Sequence, residues 1–200
     1  DITDGTLPRS ILFEGAPYKA KLTTALETAR ILSCESDNRA SWNCDCPACR
    51  RHRILSHPDL MILGSRSFRA EIGASGEAFA SEPCAQTRYL FLRSCRKLLK
   101  RFDPGLYSGE ESRLSKAVTS FLALDEIADS LDPTGGHGGE PGADAGITGS
   151  DAQKKMMNAM ALADKLETLV PGTVPVFMIR SIESWARLAP NGLRKTVVIE

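Results

Sequence analysis

An α/β fold, with a parallel sheet flanked by helices, is the architecture this sequence predicts, and three observations predict it. Short apolar runs at Ser10–Phe13, Leu60–Leu63 and Arg194–Ile199 have the length and composition of buried strands. A segment of helical period, Lys19–Leu32, follows the first run directly after Glu14 and Gly15, giving a strand, loop, helix unit. Segments of helical rather than alternating spacing then separate the second apolar run from the last. With 200 residues, 42% of them hydrophobic, the chain can bury one sizeable core with insertions but not two large ones.

Each element has a local reason. In the first helix Leu22, Leu26, Ala29 and Leu32 recur on one face. Gly64 stops the Leu60–Leu63 strand. Tyr89–Phe102, Leu114–Leu131 and Gln153–Leu169 then read as helices that interrupt the α/β pattern as an insertion spanning residues 86–169. Between the last two, Pro133–Ser150 is rich in glycine and has Ile147 as its one large apolar side chain. It cannot bury enough surface to offset ordering, and is expected to be a flexible loop. Pro171 and Gly172 end the third helix; Val174–Ile179 reads as extended, Ser181–Leu188 as a short helix, and the final run as a strand. No internal repeat is visible.

Charge excludes some functions. Twenty-five Lys and Arg balance twenty-five Asp and Glu, so no overall field draws the chain to nucleic acid or a membrane surface. No apolar run approaches the roughly 20 residues that span a bilayer, and no signal pattern opens the chain. A soluble, cytoplasmic protein without membrane partners is expected. The chain opens on Asp1 and stops inside a strand-like run, so it reads as part of a longer polypeptide.

The loop after the first apolar run is GAPYKAKLT, Gly15–Thr23. A phosphate-binding loop needs glycines whose backbone N–H groups wrap phosphate, a Lys for the terminal phosphates, and a Ser or Thr for magnesium. Gly15 and Lys21 align with the first glycine and the lysine. Ala20 stands where the second glycine belongs, and Leu22 replaces the metal-binding hydroxyl. Thr23 comes one residue late, turned by about 100° on a helix. Two readings stand: a tight strand-to-helix connection without ligand, or a vestigial phosphate loop using Gly15, Lys19, Lys21 and Thr23. Neither supplies a catalytic residue, and both argue against tight ATP and magnesium binding.

Of six cysteines, Cys34, Cys44, Cys46 and Cys49 crowd into one segment, a spacing that favours a metal over a disulfide framework. Four thiolates fill the tetrahedral shell of zinc and leave no open position, so this zinc-binding module, residues 34–49, would be structural. The single residue between Cys44 and Cys46 requires a bend, and His52 or His57 is an alternative fourth donor. Cys84 and Cys95 have no motif partner and read as semi-buried. Arg93, Arg96, Lys97, Lys100 and Arg101 share one helix face, as a solvated stripe or a phosphate-binding surface. Met156, Met157, Met160, Trp42 and Trp185 read as packing residues.

In order along the chain, LPRSILFEG, the loop remnant, a helix, a four-cysteine module after SCE and then HPDLMIL resemble bacterial DNA polymerase III clamp-loader subunits, delta-prime and gamma/tau, of the AAA+ P-loop family. The stretch VPVFMIRSIESWARLAPNGLRKTVVIE is similar to that family's run into its second nucleotide-site strand. Two features depart from the family: the long helical segment, and a cysteine module one residue shorter between its second and third cysteines. The resemblance implies that residues 1–200 are the N-terminal AAA+-like domain of a clamp-loader subunit, helping to place a sliding clamp on primer–template DNA. Its implied partners are the other clamp-loader subunits and the clamp, with DNA met through the assembly. The changes at Ala20 and Leu22 favour a structural subunit without ATP hydrolysis of its own. An active clamp-loader ATPase, a small P-loop kinase, and a zinc-stapled interaction module unrelated to replication are the competing readings.

Overall fold

Two strands, β1 (Leu60–Leu63) and β2 (Thr196–Ile199), pair in parallel with Leu60 opposite Thr196 and Leu63 opposite Ile199. In the computed structural model, residues 6–8, 10–15, 17–39, 41–63, 68–132, 149–170, 175–187 and 195–199 are described. Among these, the order is α1 (Tyr18–Ser33), α2 (Pro47–Arg53), β1, α3 (Phe68–Ser81), α4 (Ala85–Lys100), a 3-10 turn (Pro104–Tyr107), α5 (Glu111–Leu131), α6 (Gly149–Leu169), α7 (Val176–Arg187) and β2. A mostly helical α/β chain results, with a two-stranded parallel sheet. No helix among the described residues is long and apolar enough to cross a membrane.

All four residues of β1 are buried, and its side chains alternate between two cores, as expected of a strand covered on both faces. Leu60 and Ile62 pack with Leu26 and Ala29 of α1, Leu55 and Val198. Met61 and Leu63 join the larger core, which α3, α4, α5 and α6 supply. In that body α3 packs on α4 and α6, and α5 packs on the same two helices. The loop expected at residues 133–150 falls largely outside the described residues; its last two positions, Gly149 and Ser150, open α6.

Several expectations need correction. Ser10–Phe13 is not a strand: it pairs with neither β1 nor β2, and Leu12 is 80% exposed. A strand is stabilised by a ladder partner, and none lies beside this run among the described residues. The apolar run before Ser181 is helical rather than extended from Val176 onward. Met178, Ser181 and Trp185 are buried at helical spacing, and the Pro175 carbonyl accepts from the Met178 and Ile179 N–H groups. Helix α3 was not anticipated. Its buried set includes Phe68, Ile72 and Phe79, while Gly73 and Gly76 let α6 approach closely.

The basic stripe of α4 is neither a solvated face nor a free surface, because its members are spent inside the molecule. Arg96 bonds Asp125 at 2.7 Å and also Asp129 on α5. Lys97 reaches Glu71 of α3 at 2.6 Å. Lys100 donates to the His57 carbonyl at 2.6 Å. Arg93 donates to the Arg53 carbonyl, and Arg101 lies over the Phe68 ring. Cys95 on the same helix is fully buried, whereas half-exposed Cys84 precedes the helix with its N–H on the Thr87 hydroxyl. Of the methionines, Met156 and Met160 pack on the core and Met157 is exposed. Trp185 is buried against Gly105, but Trp42 is 82% exposed and packs on no core.

Two measurements check this packing. A Cβ at Gly76 would overlap Met156 Cγ and come within 3.0 Å of its Cβ, whereas one at Gly73 would meet Met160 Cε at 3.4 Å. In urea melts, Gly76→Ala should therefore destabilise by about 1–3 kcal/mol. Gly73→Ala should be neutral or stabilising by up to about 1 kcal/mol, from helix propensity. The Lys97 side chain is 8% exposed and that of its partner Glu71 27%. Lys97→Ala should cost on the order of 3 kcal/mol by stranding that carboxylate, and adding Glu71→Leu should recover much of the loss.

Candidate metal centre

The sulfur atoms of Cys34, Cys44, Cys46 and Cys49 lie within 4.8 Å of one another. Cys34 comes from the end of α1, where helical hydrogen bonding stops and the chain becomes extended. A turn at Trp42–Asn43 and a bend at Cys46 supply the curvature that lets Cys44 and Cys46 converge despite one intervening residue. Cys46 is the N-cap of α2, with Pro47 in the first turn and the Cys49 N–H directed at Cys46 Sγ, 3.5 Å away. Pro at that position spares an N–H that would have no helical partner. The same turn brings Cys49 back to the cluster.

The geometry fits a tetrahedral ion. Bonds of about 2.3 Å to zinc would place tetrahedral sulfur atoms about 3.8 Å apart, and Cys34 Sγ lies 3.7 Å from Cys44 Sγ and 3.9 Å from Cys46 Sγ. The donor set is thus able to hold a metal ion. Neither His52 nor His57 belongs to it. These rings stack on each other, 4.2 Å between centroids, and His57 Nδ1 accepts from the Asp59 N–H. Burial drives His52 down to about 3, which keeps it neutral, and neither ring nitrogen of His52 has a hydrogen-bond partner.

Electrostatics divides the four sulfurs. Burial pushes Cys49 up to about 12 against the opposing pull of Arg30, and burial likewise raises Cys34. Burial works against Cys46 too, but the N–H groups of Cys49 and Glu35 and the adjacent thiols outweigh it and bring Cys46 to about 6. Arg30 is 2% exposed; its Nε bonds Glu27 at 2.8 Å and its Nη1 bonds Cys49 Sγ at 3.1 Å. Spacing and the cysteine count single out the same four residues whose sulfurs the structure brings together. Nothing in the pattern singled out Arg30, although it lies on the same helix face as Cys34, one turn earlier.

Gly15, Lys19, Lys21 and Thr23, the candidate phosphate-loop residues, lie at the start of α1 and just before it. Gly15 is exposed with φ at +70°, the left-handed conformation that glycine adopts without strain. Pro17 precedes α1, and its carbonyl accepts from Ala20 and Lys21 N–H groups. Lys21 is half-buried and Thr23 exposed. Lys19 lies in the first turn of α1.

A parallel strand pair packed on a helix, with a four-cysteine cluster at that helix's end able to hold a metal ion, defines a mostly helical α/β protein. Residues 1–88 match the family model described as DNA polymerase III, delta subunit. Over that stretch the chain is similar to a clamp-loader-type subunit of that polymerase. It spans the Gly15 loop, all four cysteines, β1 and α3, and ends at the start of α4. No curated protein and no solved structure matches the chain.

Elemental analysis should find one zinc per chain. Cys34→Ser should lower both metal content and thermal stability. Arg30→Met should retain the metal but weaken it against a competing chelator, because a buried cation beside the thiolates is lost.

Proposed function

We propose that this chain is a structural, delta-prime-type subunit of a bacterial DNA polymerase III clamp loader, working in the cytoplasm. In this reading Cys34, Cys44, Cys46 and Cys49 hold one structural zinc, and the Gly15–Thr23 loop no longer supports ATP hydrolysis. The family match over residues 1–88 carries the reading, because that stretch contains both the loop and the cysteines. Zinc would supply cross-linking and no open coordination position. The protein's own part is to bring the end of α1 and the start of α2 together, with Arg30 offsetting thiolate charge.

The rest of the proposal follows the same logic. Residues 1–200 form one AAA+-like domain whose parallel sheet includes β1 and β2, residues 34–49 are its zinc module, and residues 86–169 are a helical insertion with a loop at 133–150. Gly15, Lys19, Lys21 and Thr23 are the remnant of a phosphate loop. Gly15 keeps the left-handed turn, but Ala20 and Leu22 remove the second glycine and the magnesium oxygen. The partners are the other clamp-loader subunits and the sliding clamp, with primer–template DNA reached through the assembly.

Titration calorimetry with magnesium and millimolar ATP should give no binding heat, and the chain should comigrate with the remaining clamp-loader subunits on a sizing column. Tight ATP binding abolished by Lys21→Ala would move the protein to the ATPase class. A monomer that ignores those subunits would favour an interaction module outside replication.

A further inference from the structure

The cysteine loop presents a large aromatic side chain to solvent on a backbone that is firmly held. Trp42 is 82% exposed. Arg53 reaches across from α2 and donates to the Trp42 and Cys44 carbonyls at 2.8 Å each, and its Nη1 bonds Asp45 at the same distance. The Ser41 N–H closes a turn on the Asn38 carbonyl, and the Ser41 hydroxyl donates to Asn43 Oδ1. A single exposed apolar side chain is ordinary on a protein surface; what sets this ring apart is that side-chain and backbone hydrogen bonds fix the turn that displays it.

The cysteine segment and the helix that follows it also carry exposed arginines. Arg39 lies in the turn that leads to Trp42, and Arg50 is one helical turn before the Arg53 that pins it. Both are exposed, as is Arg51, and none of the three guanidinium groups has a hydrogen-bond or ion-pair partner among the described residues. Of the acidic groups in this segment, Asp45 is taken up by Arg53, leaving exposed Glu35 and Asp37 against three unpaired guanidinium groups. The stripe on α4 shows the contrast, since its cations are consumed by internal partners.

We infer that the tip of the cysteine loop is a contact for single-stranded DNA, in which Trp42 stacks on a base and Arg39 and Arg50 take neighbouring phosphates. An exposed indole offers a face to any base, and guanidinium groups beside it supply sequence-independent attraction to the backbone. A duplex presents no unstacked base to the ring, so the surface selects single strands. The inference rests on this loop alone and stands or falls separately from the clamp-loader assignment.

The test is anisotropy of a labelled oligo-dT of about 20 nucleotides, longer than a site of roughly 4–16, titrated with the full chain at about 50 mM salt. Binding should quench tryptophan emission, and the signal reports Trp42 because Trp185 is buried. Trp42→Ala, a change at an exposed side chain, should weaken binding about tenfold. The double variant Arg39→Ala/Arg50→Ala should reduce the slope of log affinity against log salt by about 1.4. Absence of binding, undiminished binding by Trp42→Ala, or equal affinity for duplex of the same length would each overturn the inference. So would an acidic peptide that competes as well as the oligonucleotide.

Discussion

The three residues ahead of β1, His57, Pro58 and Asp59, are where separate parts of the chain are tied to the sheet. Lys100 from the end of α4 donates to the His57 carbonyl. Lys195, ahead of β2, bonds Asp59 Oδ1 at 3.0 Å while lying over the Trp185 ring. The Asp59 carbonyl accepts from the Thr196 N–H at 2.8 Å, starting the parallel register. The His57 ring stacks on His52 of α2. Burial lowers Lys100 to about 8, and the Lys195–Asp59 pair is almost dry, so these contacts act where removing one partner strands the other. Parallel strands need a long crossover between them. This short segment is where that crossover closes.

The cysteine centre depends on the same region through α2. That helix ends in a Schellman arrangement: the Leu55 N–H bonds the His52 carbonyl at 3.1 Å and the Ser56 N–H bonds the Arg51 carbonyl at 2.8 Å. Leu55 takes φ of +58° there, a conformation costly to a leucine. Its side chain is fully buried with Leu60 and Ile62 beneath α1, and that burial offsets the backbone strain. Helix α1 meanwhile contributes both Cys34 and the buried guanidinium of Arg30 to the centre. Four thiolates around a divalent ion would leave two net negative charges, and Arg30 sits 3.1 Å from one of the sulfurs.

Much of this was legible in the sequence where one period or spacing dominated. Leu60–Leu63 reads as a strand because it is apolar throughout, and α1 reads from Leu22, Leu26 and Ala29. The four cysteines converge as their count and spacing suggest. Local patterns failed where tertiary contacts decided the outcome. Two glycines masked α3, yet they are its contact with α6. Val176–Ile179 is apolar enough for a strand, but Met178 and Trp185 place it on a helix against the 3-10 turn. No glycine marks the end of α2, since burial of Leu55 overrides backbone preference. The charges of α4 look like a solvated face until Glu71, Asp125 and Asp129, distant in sequence, are seen opposite them.

Cys95 gives the helical body an internal reporter of opening. Burial raises its thiol to about 12, and it sits at the centre of α4 with no exposed surface, so in the closed molecule it is neither reachable nor nucleophilic. Cys84, eleven positions earlier, is half-exposed and shifted down by its contacts with Thr87. One chain thus carries two thiols outside the four-cysteine cluster with opposite access to solvent chemistry. Modification of Cys95 is gated by departure of α4 from its neighbours, so its rate relative to that of Cys84 reports how readily the packed helices open.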